Sequence, residues 1–265
     1  MDSEKAMDVS IIVPTYQEAG NLRALVEGVF AALASTSWKA EMIIVDDDSS
    51  DGSEELIAEL AGEYPVRILV RKDERDLSSA VIHGFANGAG RVLLCMDADL
   101  SHPPASVPEV IRPVMEGRAD FCIGSRYVES GSTNEDWGMF RKINSRAASL
   151  LAWPLTGARD PMAGFFCLPR ERIESAGKLN PIGYKIGLEL LIKAGCRNVC
   201  EVPIAFENRV EGTSKLGLRE QWKYLVHLRR LYNYRWPIAA RLVPIGVGIL
   251  VLVLLARVTG VWPSE

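Results

Sequence analysis

The chain is 265 residues long, enough for one large domain with a full hydrophobic core and a short appendage. Its net charge of −4 argues against general nucleic-acid binding, because no broad basic surface is available for a phosphate backbone. The five cysteines lack paired spacing, which argues against a disulfide framework and a structural zinc site and favours a reduced compartment.

Short apolar runs alternate with amphipathic stretches through the first part of the chain. The runs at 9–14, 41–46, 66–70 and 91–97 predict strands, and the stretches between them have the apolar spacing of helices. A further strand is predicted at 120–128. This alternation predicts an α/β fold with a mainly parallel, Rossmann-like sheet that carries helices on both faces.

The pattern becomes irregular from about residue 129 to residue 165. Helices are predicted at 138–153 and 181–195, followed by a short strand at 200–206. The next segment, 208–217, is polar and contains two glycines and two basic residues. It predicts a flexible loop.

Polar residues collect where the predicted strands end. The first, second and fourth strands end in PTYQEAG, DDDSSDG and DADLSHPP, and the strand at 120–128 ends in Arg126 and Tyr127. Because the carboxyl ends of parallel strands meet at one edge, we expect the acids and this cation to lie together. Taken alone, Asp97 and Asp99 are also compatible with a polar turn.

The spacing of Asp97 and Asp99 indicates a metal site. Alternate residues of a strand face the same side, and two carboxylates that close repel each other unless a cation lies between them. Mg²⁺ or Mn²⁺, bound by carboxylates together with substrate phosphates, meets that need and implies a nucleoside diphosphate or triphosphate compound. The glycine patterns of dinucleotide-binding enzymes and P-loop proteins are both absent.

Nine motifs occur in order between about residues 8 and 218. They are VSIIVPTYQEAGNL, IIVDDDSSDGS, LSSAVIHGF, MDADLSHPP, IGSRYV, FRKINS, DPMAGFF, LNPIGYKIGLELL and EVPIAFENRVEGTSKL. Together they resemble the family 2 glycosyltransferases of GT-A fold, in particular the dolichol- or polyprenol-phosphate mannosyltransferase group. The resemblance implies inverting transfer of mannose from GDP-mannose to a polyprenyl phosphate.

The resemblance also implies roles for individual residues. Asp97, Asp99 and Ser101 match the metal motif, and Asp99, Arg126 and Arg141 are the expected catalytic residues. The acceptor phosphate is expected at Arg126, Arg141 and Ser145. The positions expected to bind the donor are Pro14, Tyr16, Glu18, Val45, Asp47, Asp97, Ala98, Asp99, Ser101, Arg126, Arg209 and Lys215.

Two of those donor residues, Arg209 and Lys215, lie on what resembles a mobile loop, where Glu211 gives less positive charge than some relatives have. No catalytic base is expected, because a phosphate monoester, with a second pKa of about 6, is already anionic at neutral pH. Asp160 is compatible with a base in a hydroxyl-acceptor relative or with a turn cap. His102 is expected to have a structural role.

The C-terminal part predicts membrane association. Residues 218–236 form an amphipathic pattern with an apolar face of Leu218, Trp222, Leu225, Leu228 and Tyr232, typical of a helix at a membrane interface, although a core-packed helix is the alternative. Residues 242–262 are apolar over about 20 residues and predict one transmembrane helix, with a buried helix as the alternative.

Four arginines precede this apolar segment, at positions 229, 230, 235 and 241. Positive charge at that place predicts that the catalytic portion faces the cytoplasm. The expected organisation is a catalytic domain at 1–217, an interface helix at 218–236 and a membrane segment at 237–265.

Two other functions agree with the same residues. One is transfer from another sugar nucleotide, such as UDP-glucose, to the same lipid. The other is a catalytically silent, membrane-associated binding protein of the same fold. The acids Asp97 and Asp99 and the cations Arg126 and Arg141 favour an enzyme, since a silent scaffold needs neither metal nor phosphate ligands.

Overall fold

The structure is a computed structural model that describes residues 7–133, 139–180, 182, 185–206 and 218–237, without the side chains of 133, 139–144 and 218–220. Arg209, Glu211 and Lys215 therefore lie outside the described residues. So does the predicted membrane segment from residue 238 onward.

The described strands form a seven-stranded sheet, in the order β3-β2-β1-β4-β7-β5-β8, and a small parallel pair of β6 and β9. Their bounds are Val9–Thr15 (β1), Ala40–Asp46 (β2), Val66–Val70 (β3), Val92–Cys95 (β4), Phe121–Ser125 (β5), Ser132–Thr133 (β6), Phe166–Pro169 (β7), Val199–Pro203 (β8) and Ala205–Phe206 (β9). The pairs β1 with β2, β1 with β4, β2 with β3, and β5 with β8 are parallel, whereas β7 runs antiparallel to both β4 and β5.

The helices lie on both faces of the large sheet, as the sequence predicts. Their bounds are Ala19–Leu33 (α1), Ser53–Leu60 (α2), Leu77–Asn87 (α3), Val107–Met115 (α4), Met139–Thr156 (α5), Arg170–Ser175 (α6), Ile186–Lys193 (α7) and Leu218–Arg235 (α8). One core layer holds apolar residues of α1, α2 and α4, and the other holds residues of α3, α6 and α7.

Side-chain alternation along β1 explains this arrangement. Ile11 and Val13 are fully buried in the layer with α1, whereas Ile12 is fully buried in the opposite layer. Successive residues of a strand point to opposite faces, so a strand that is apolar at every position requires cover on both sides. The run at 9–14, which is apolar except for Ser10, is therefore the sequence of a central strand.

Four elements were not predicted from the sequence, namely β6, β7, α4 and α6. β7 lies in a stretch that was not predicted as a strand, and it enters the parallel sheet in the opposite direction. α4 was missed as well, because Pro103, Pro104, Pro108 and Pro113 obscure its helical periodicity. Its two internal prolines are nevertheless buried, with Pro108 in the first turn, where a helix tolerates proline.

A third apolar cluster joins α5, α7 and α8. Leu228 and Leu231 of α8 are buried against Ala152, Leu188 and Ile192. Trp222 and Leu225 of α8 remain 69% and 46% exposed. The single apolar face predicted for this helix is therefore divided, since part of it packs on the domain and part faces outward.

Within the described ranges, none of the helices is long and apolar enough to cross a bilayer.

Candidate active site

Three strand tips meet at one edge of the large sheet. β1, β2 and β4 are neighbours and run parallel, so their carboxyl ends lie side by side. Each tip has a non-glycine residue in the left-handed region: Gln17, Asp48 and Leu100 have φ angles of 60°, 56° and 60°. Side chains other than glycine rarely adopt this conformation, and strained backbone of this kind collects at functional sites.

Asp99 and Ser101 form a tight turn after β4. Asp99 is buried, and its Oδ1 accepts hydrogen bonds from the backbone N–H and the hydroxyl of Ser101, at 3.1 and 2.6 Å. Ala98, between the two acids, is also buried. The Ser101 proton is thus used to orient the Asp99 carboxylate, so that only the lone pairs of this hydroxyl are left for the predicted contact with a metal.

Asp97 is more accessible, with 32% of its side chain exposed. Its backbone N–H donates to Nδ1 of His102 at 3.1 Å, which makes that nitrogen the unprotonated one. Burial lowers the pKa of His102 below its ordinary value, although Asp97 and Asp99 act in the opposite direction. The imidazole also stacks on Phe165 at 5.1 Å, and so supports the loop that carries the acids.

The space around Asp97 fits a bound cation. A Cβ atom on Gly164 would lie 3.2 and 3.3 Å from the two carboxylate oxygens of Asp97, so glycine leaves this carboxylate accessible. Carboxylate oxygens are the ligands that Mg²⁺ and Mn²⁺ prefer. Among the described residues, no group of three or more His, Cys, Asp and Glu side chains is arranged to hold a metal ion. An ion at Asp97 and Asp99 would therefore need further oxygens from substrate or water.

Arg126, at the end of β5, is bound by Asp160. Its Nε and Nη2 each donate to one carboxylate oxygen of Asp160 at 2.8 Å, and its backbone N–H donates to the same side chain at 3.0 Å. Burial opposes the charged form, but Asp160 outweighs it and raises the pKa of Arg126. Asp160 is fully buried and serves here as the partner of Arg126, an arrangement that the sequence did not predict.

The expected acceptor residues lie close to Arg126. The Tyr127 hydroxyl donates to Ser145 Oγ at 2.7 Å, and the Arg126 guanidinium lies 5.3 Å from the Tyr127 ring. The side chain of Arg141 lies outside the described atoms. A cavity of about 460 Å³ opens beside these residues, lined also by Leu150 and Trp153 of α5.

On the other side of the edge, Asp47 is held by Arg71. Arg71 Nε donates to Asp47 Oδ1 at 2.7 Å, and the backbone N–H of Asp76 donates to Oδ2 at 3.0 Å. Asp47 therefore fixes the loop between β3 and α3 against the tip of β2. These residues border a cavity of about 210 Å³ that also includes Asp48 and Glu74.

The other expected donor residues that the structure describes lie on β1 and β2 and in the turn between β1 and α1. Pro14 and Val45 are buried register partners on β1 and β2. Arg75 covers the Tyr16 ring at 3.9 Å and donates to its hydroxyl at 2.8 Å. Glu18 accepts a hydrogen bond from the side chain of Asn21 at 2.7 Å, at the start of α1.

The sequence reasoning missed Arg71 and Gly164. Arg71 directly follows β3, so extending the strand-end rule to the third strand would have found it. Gly164 belongs to the stretch that reads as irregular, and its importance comes from contact with Asp97 across the fold. The local sequence pattern does not predict a contact between residues so far apart in the chain.

Comparison with known proteins defines the class of this chain. The family model described as glycosyl transferase family 2 matches residues 10–173. The chain therefore belongs to family 2 of the glycosyltransferases and is a glycosyltransferase, as the nine motifs predict.

Individual relatives lie within this family. The chain is 44% identical to a dolichol-phosphate mannosyltransferase of Mycosarcoma maydis, covering 93% of this chain and 85% of that protein. It is 41% identical to the one of Saccharomyces cerevisiae, covering 87% and 89%. For the one of Pyrococcus furiosus the identity is 43%, over 86% of this chain and 64% of that protein.

Solved structures confirm the fold. Glucosyl-3-phosphoglycerate synthase of Mycobacterium tuberculosis, in complex with Mn²⁺, UDP and its product, is 17% identical with a TM-score of 0.62, covering 88% of this chain and 81% of that chain. Mannosyl-3-phosphoglycerate synthase of Rubrobacter xylanophilus is 20% identical with a TM-score of 0.63, covering 89% and 75%. At this level of identity the likeness concerns the fold, which is the GT-A type.

Proposed function

We propose that this enzyme transfers mannose from GDP-mannose to a polyprenyl phosphate of the dolichyl type, with inversion at the anomeric carbon. The names of the relatives at 41–44% identity support the sugar and the lipid. The structural observation that carries the proposal is that the acids after β4 and the cation after β5 lie at the same edge of the sheet, because β7 runs antiparallel to both strands. Such an edge suits a reaction between two phosphate compounds.

Asp97 and Asp99 would hold Mg²⁺ or Mn²⁺, with Ser101 as the proposed third oxygen. A hard divalent ion at that place supplies charge stabilisation for the departing diphosphate. The fold neighbour crystallised with Mn²⁺ supports a divalent ion. The donor base and ribose would lie in the cavity beside Asp47, between Tyr16 and the loop after β3.

Arg126 and Ser145 would position the acceptor phosphate, together with Arg141. An acceptor oxygen forms the new bond to the anomeric carbon, while the bond from that carbon to the donor phosphate breaks and GDP leaves with its electron pair. The acceptor oxygen carries no proton that must be removed, so the site needs positioning and charge rather than a base. This agrees with the engagement of Asp160 by Arg126.

The lipid part of the acceptor requires an apolar path that begins at the phosphate site. The cavity beside Arg126 would provide one, because Leu150 and Trp153 are 71% and 54% exposed along α5. We further propose that α8 lies at the membrane interface, that residues 237–265 anchor the chain, and that the active site faces the cytoplasm. The four arginines between 229 and 241 support this orientation.

A transfer assay tests the donor and the acceptor together. We expect the protein to transfer mannose from GDP-mannose to polyprenyl phosphate when Mg²⁺ or Mn²⁺ is present. The rate should fall at least about 100-fold after Asp99→Asn, because Asp97 and Asp99 together would hold the ion that stabilises the departing diphosphate. Glu63→Gln, a substitution at an exposed acid after α2, is the control and should leave the rate unchanged.

Transfer from UDP-glucose alone would contradict the donor and leave the lipid acceptor standing. Binding of GDP-mannose without transfer under any metal would favour the silent binding protein. Transfer by Asp99→Asn at the wild-type rate would contradict the metal assignment.

A further inference from the structure

Lys185 directly precedes α7, which packs closely on the segment that leads into β7. A Cβ atom on Gly187 would lie 2.9 Å from the ring of Phe166 and 3.3 Å from the carbonyl oxygen of Ala163. This contact brings the start of α7, where Lys185 is the N-cap residue, against the segment that contains Asp160 and Gly164.

Lys185 is partly buried, and charged residues from three other elements act on it. These are Arg126 after β5, Asp160 before β7 and Asp97 after β4, with Arg126 acting most strongly and Asp97 least. Burial is the main reason why the pKa of Lys185 falls to about 8, and Arg126 lowers it further. The backbone carbonyl of Lys185 accepts a hydrogen bond from the N–H of Glu189, but within the described part of the chain its side chain has neither a hydrogen bond nor an ion pair.

The neighbouring cation has its own acid, whereas none of the described acids pairs with the Lys185 side chain. Asp160 binds the Arg126 guanidinium through both carboxylate oxygens. A partly buried ammonium without a carboxylate is costly until an anion arrives to compensate it. A phosphate placed beside Arg126 would supply that anion.

We propose that Lys185 binds the phosphate of the lipid acceptor and is a further catalytic residue of this enzyme. The inference rests on the proposed function. The acceptor is favoured over the donor diphosphate because α7 packs on the segment that carries Asp160, the acid that binds Arg126. Arg126 and Lys185 would then both bind the acceptor phosphate and position its attacking oxygen.

Substitution of Lys185 by methionine tests this role, since methionine keeps the length of the side chain and removes the charge. We expect Lys185→Met to raise KM for polyprenyl phosphate about tenfold or more, the effect of losing one charge-assisted hydrogen bond, and to leave KM for GDP-mannose near the wild-type value. Lys185→Arg should restore most of the loss. Lys178→Met, at an exposed lysine, is the matched control and should behave as wild type.

Direct binding of a short prenyl phosphate, geranyl phosphate, separates this inference from the proposed function because it requires no transfer. Calorimetry should show a Kd at least about tenfold higher for Lys185→Met than for wild type, with GDP binding unchanged. Equal Kd values, or a loss confined to GDP, would overturn the inference. Tight binding of geranyl phosphate through Lys185, without mannose transfer, would contradict the proposed function alone.

Discussion

The hydroxyl of Ser101 is bound to Asp99 in the same way as the hydroxyl of Ser53 is bound to Asp51. In both pairs the backbone N–H and the hydroxyl of the serine donate to Oδ1 of the aspartate two residues earlier, at 3.1 Å and at 2.6 or 2.7 Å. The local geometry is shared, but Asp51 accepts its hydrogen bonds at the first residue of α2, whereas Asp99 lies at the proposed diphosphate site. Comparison of the two serine–aspartate pairs therefore distinguishes an effect on local stability from an effect on function.

We expect Ser101→Ala to weaken the apparent affinity of the enzyme for the divalent ion about tenfold or more. Groups that orient a metal ligand typically contribute that much. The reasons are loss of the 2.6 Å hydrogen bond that fixes the Asp99 carboxylate and loss of the proposed third metal oxygen. Titration of activity with Mn²⁺ measures the effect.

Ser53→Ala is the matched control, since it removes the equivalent bond to Asp51. It should change the Mn²⁺ titration little. If the two variants titrate alike, orientation of Asp99 by Ser101 has no functional weight.

Sequence predicted which residue types lie at the edge better than it predicted their partners. Asp97, Asp99 and Arg126 follow strands, and the rule for parallel sheets is sufficient to bring them together. The pairing of Arg126 with Asp160 depends on a loop that returns to the edge after α5, and residue spacing carries no information about such a return.

At the scale of elements, α7 and α8 are joined by a buried charged group. Glu189 of α7 and His227 of α8 are each 1% exposed, with His227 Nε2 3.2 Å from Glu189 Oε2. Lys193 Nζ lies 2.5 Å from Glu189 Oε1, and the backbone N–H of Asn180 donates to the same oxygen at 2.8 Å. The proposed interface helix is thus attached to the catalytic domain through an acid as well as through apolar contacts.

We expect Glu189→Gln to lower the free energy of unfolding by on the order of 3 kcal/mol at pH 7, because it removes one partner of a buried ionic group. Burial alone would raise the pKa of Glu189, but its contacts with His227, Asn180 and Lys193 outweigh burial and lower the pKa to about 2. The stabilisation is therefore complete above the unfolded-state pKa of roughly 4.3 and is lost as pH falls toward about 2.

Urea unfolding of wild type and Glu189→Gln at pH 7 and pH 3 measures both effects. The difference between the two proteins should be smaller at pH 3. Glu171→Gln, at an exposed acid in the first turn of α6, is the control and should show little difference at either pH. A difference for Glu189→Gln that does not change with pH would contradict the assigned pKa.

The elements predicted well are those with a long and regular pattern. β1 has a long apolar run and α1 has apolar residues at helical spacing. Both elements are found where the sequence predicts them. β7 has four residues and no alternation, so it is recognised through its partners β4 and β5 rather than through its own sequence.

At the scale of the whole molecule, the exposed apolar residues of α5 and α8 belong to two helices that share one apolar cluster. Trp222 and Leu225 on α8, and Leu150 and Trp153 on α5, are each at least 46% exposed. Large apolar side chains in such a group mark a surface that contacts another apolar phase. Under the proposed function, that phase would be the membrane interface.

We expect Trp222 to enter the lipid phase when the protein binds vesicles. Subtracting the fluorescence of Trp222→Phe from that of wild type gives the emission of Trp222, which brominated phospholipid should quench. Trp38 packs against the core between α1 and β2, so the same subtraction with Trp38→Phe should give emission that brominated lipid does not affect. Unquenched emission from Trp222 would place α8 away from the bilayer.

The late position of β7 in the chain also has a consequence for folding. β1 to β4 form from consecutive strand–helix units within the first 95 residues, whereas β4 obtains its second neighbour from residues 166–169. Until that stretch has been synthesised, β4 is an apolar open edge able to pair with another chain. Completion of the catalytic edge and protection of the nascent sheet from aggregation thus depend on the same late event, the insertion of β7.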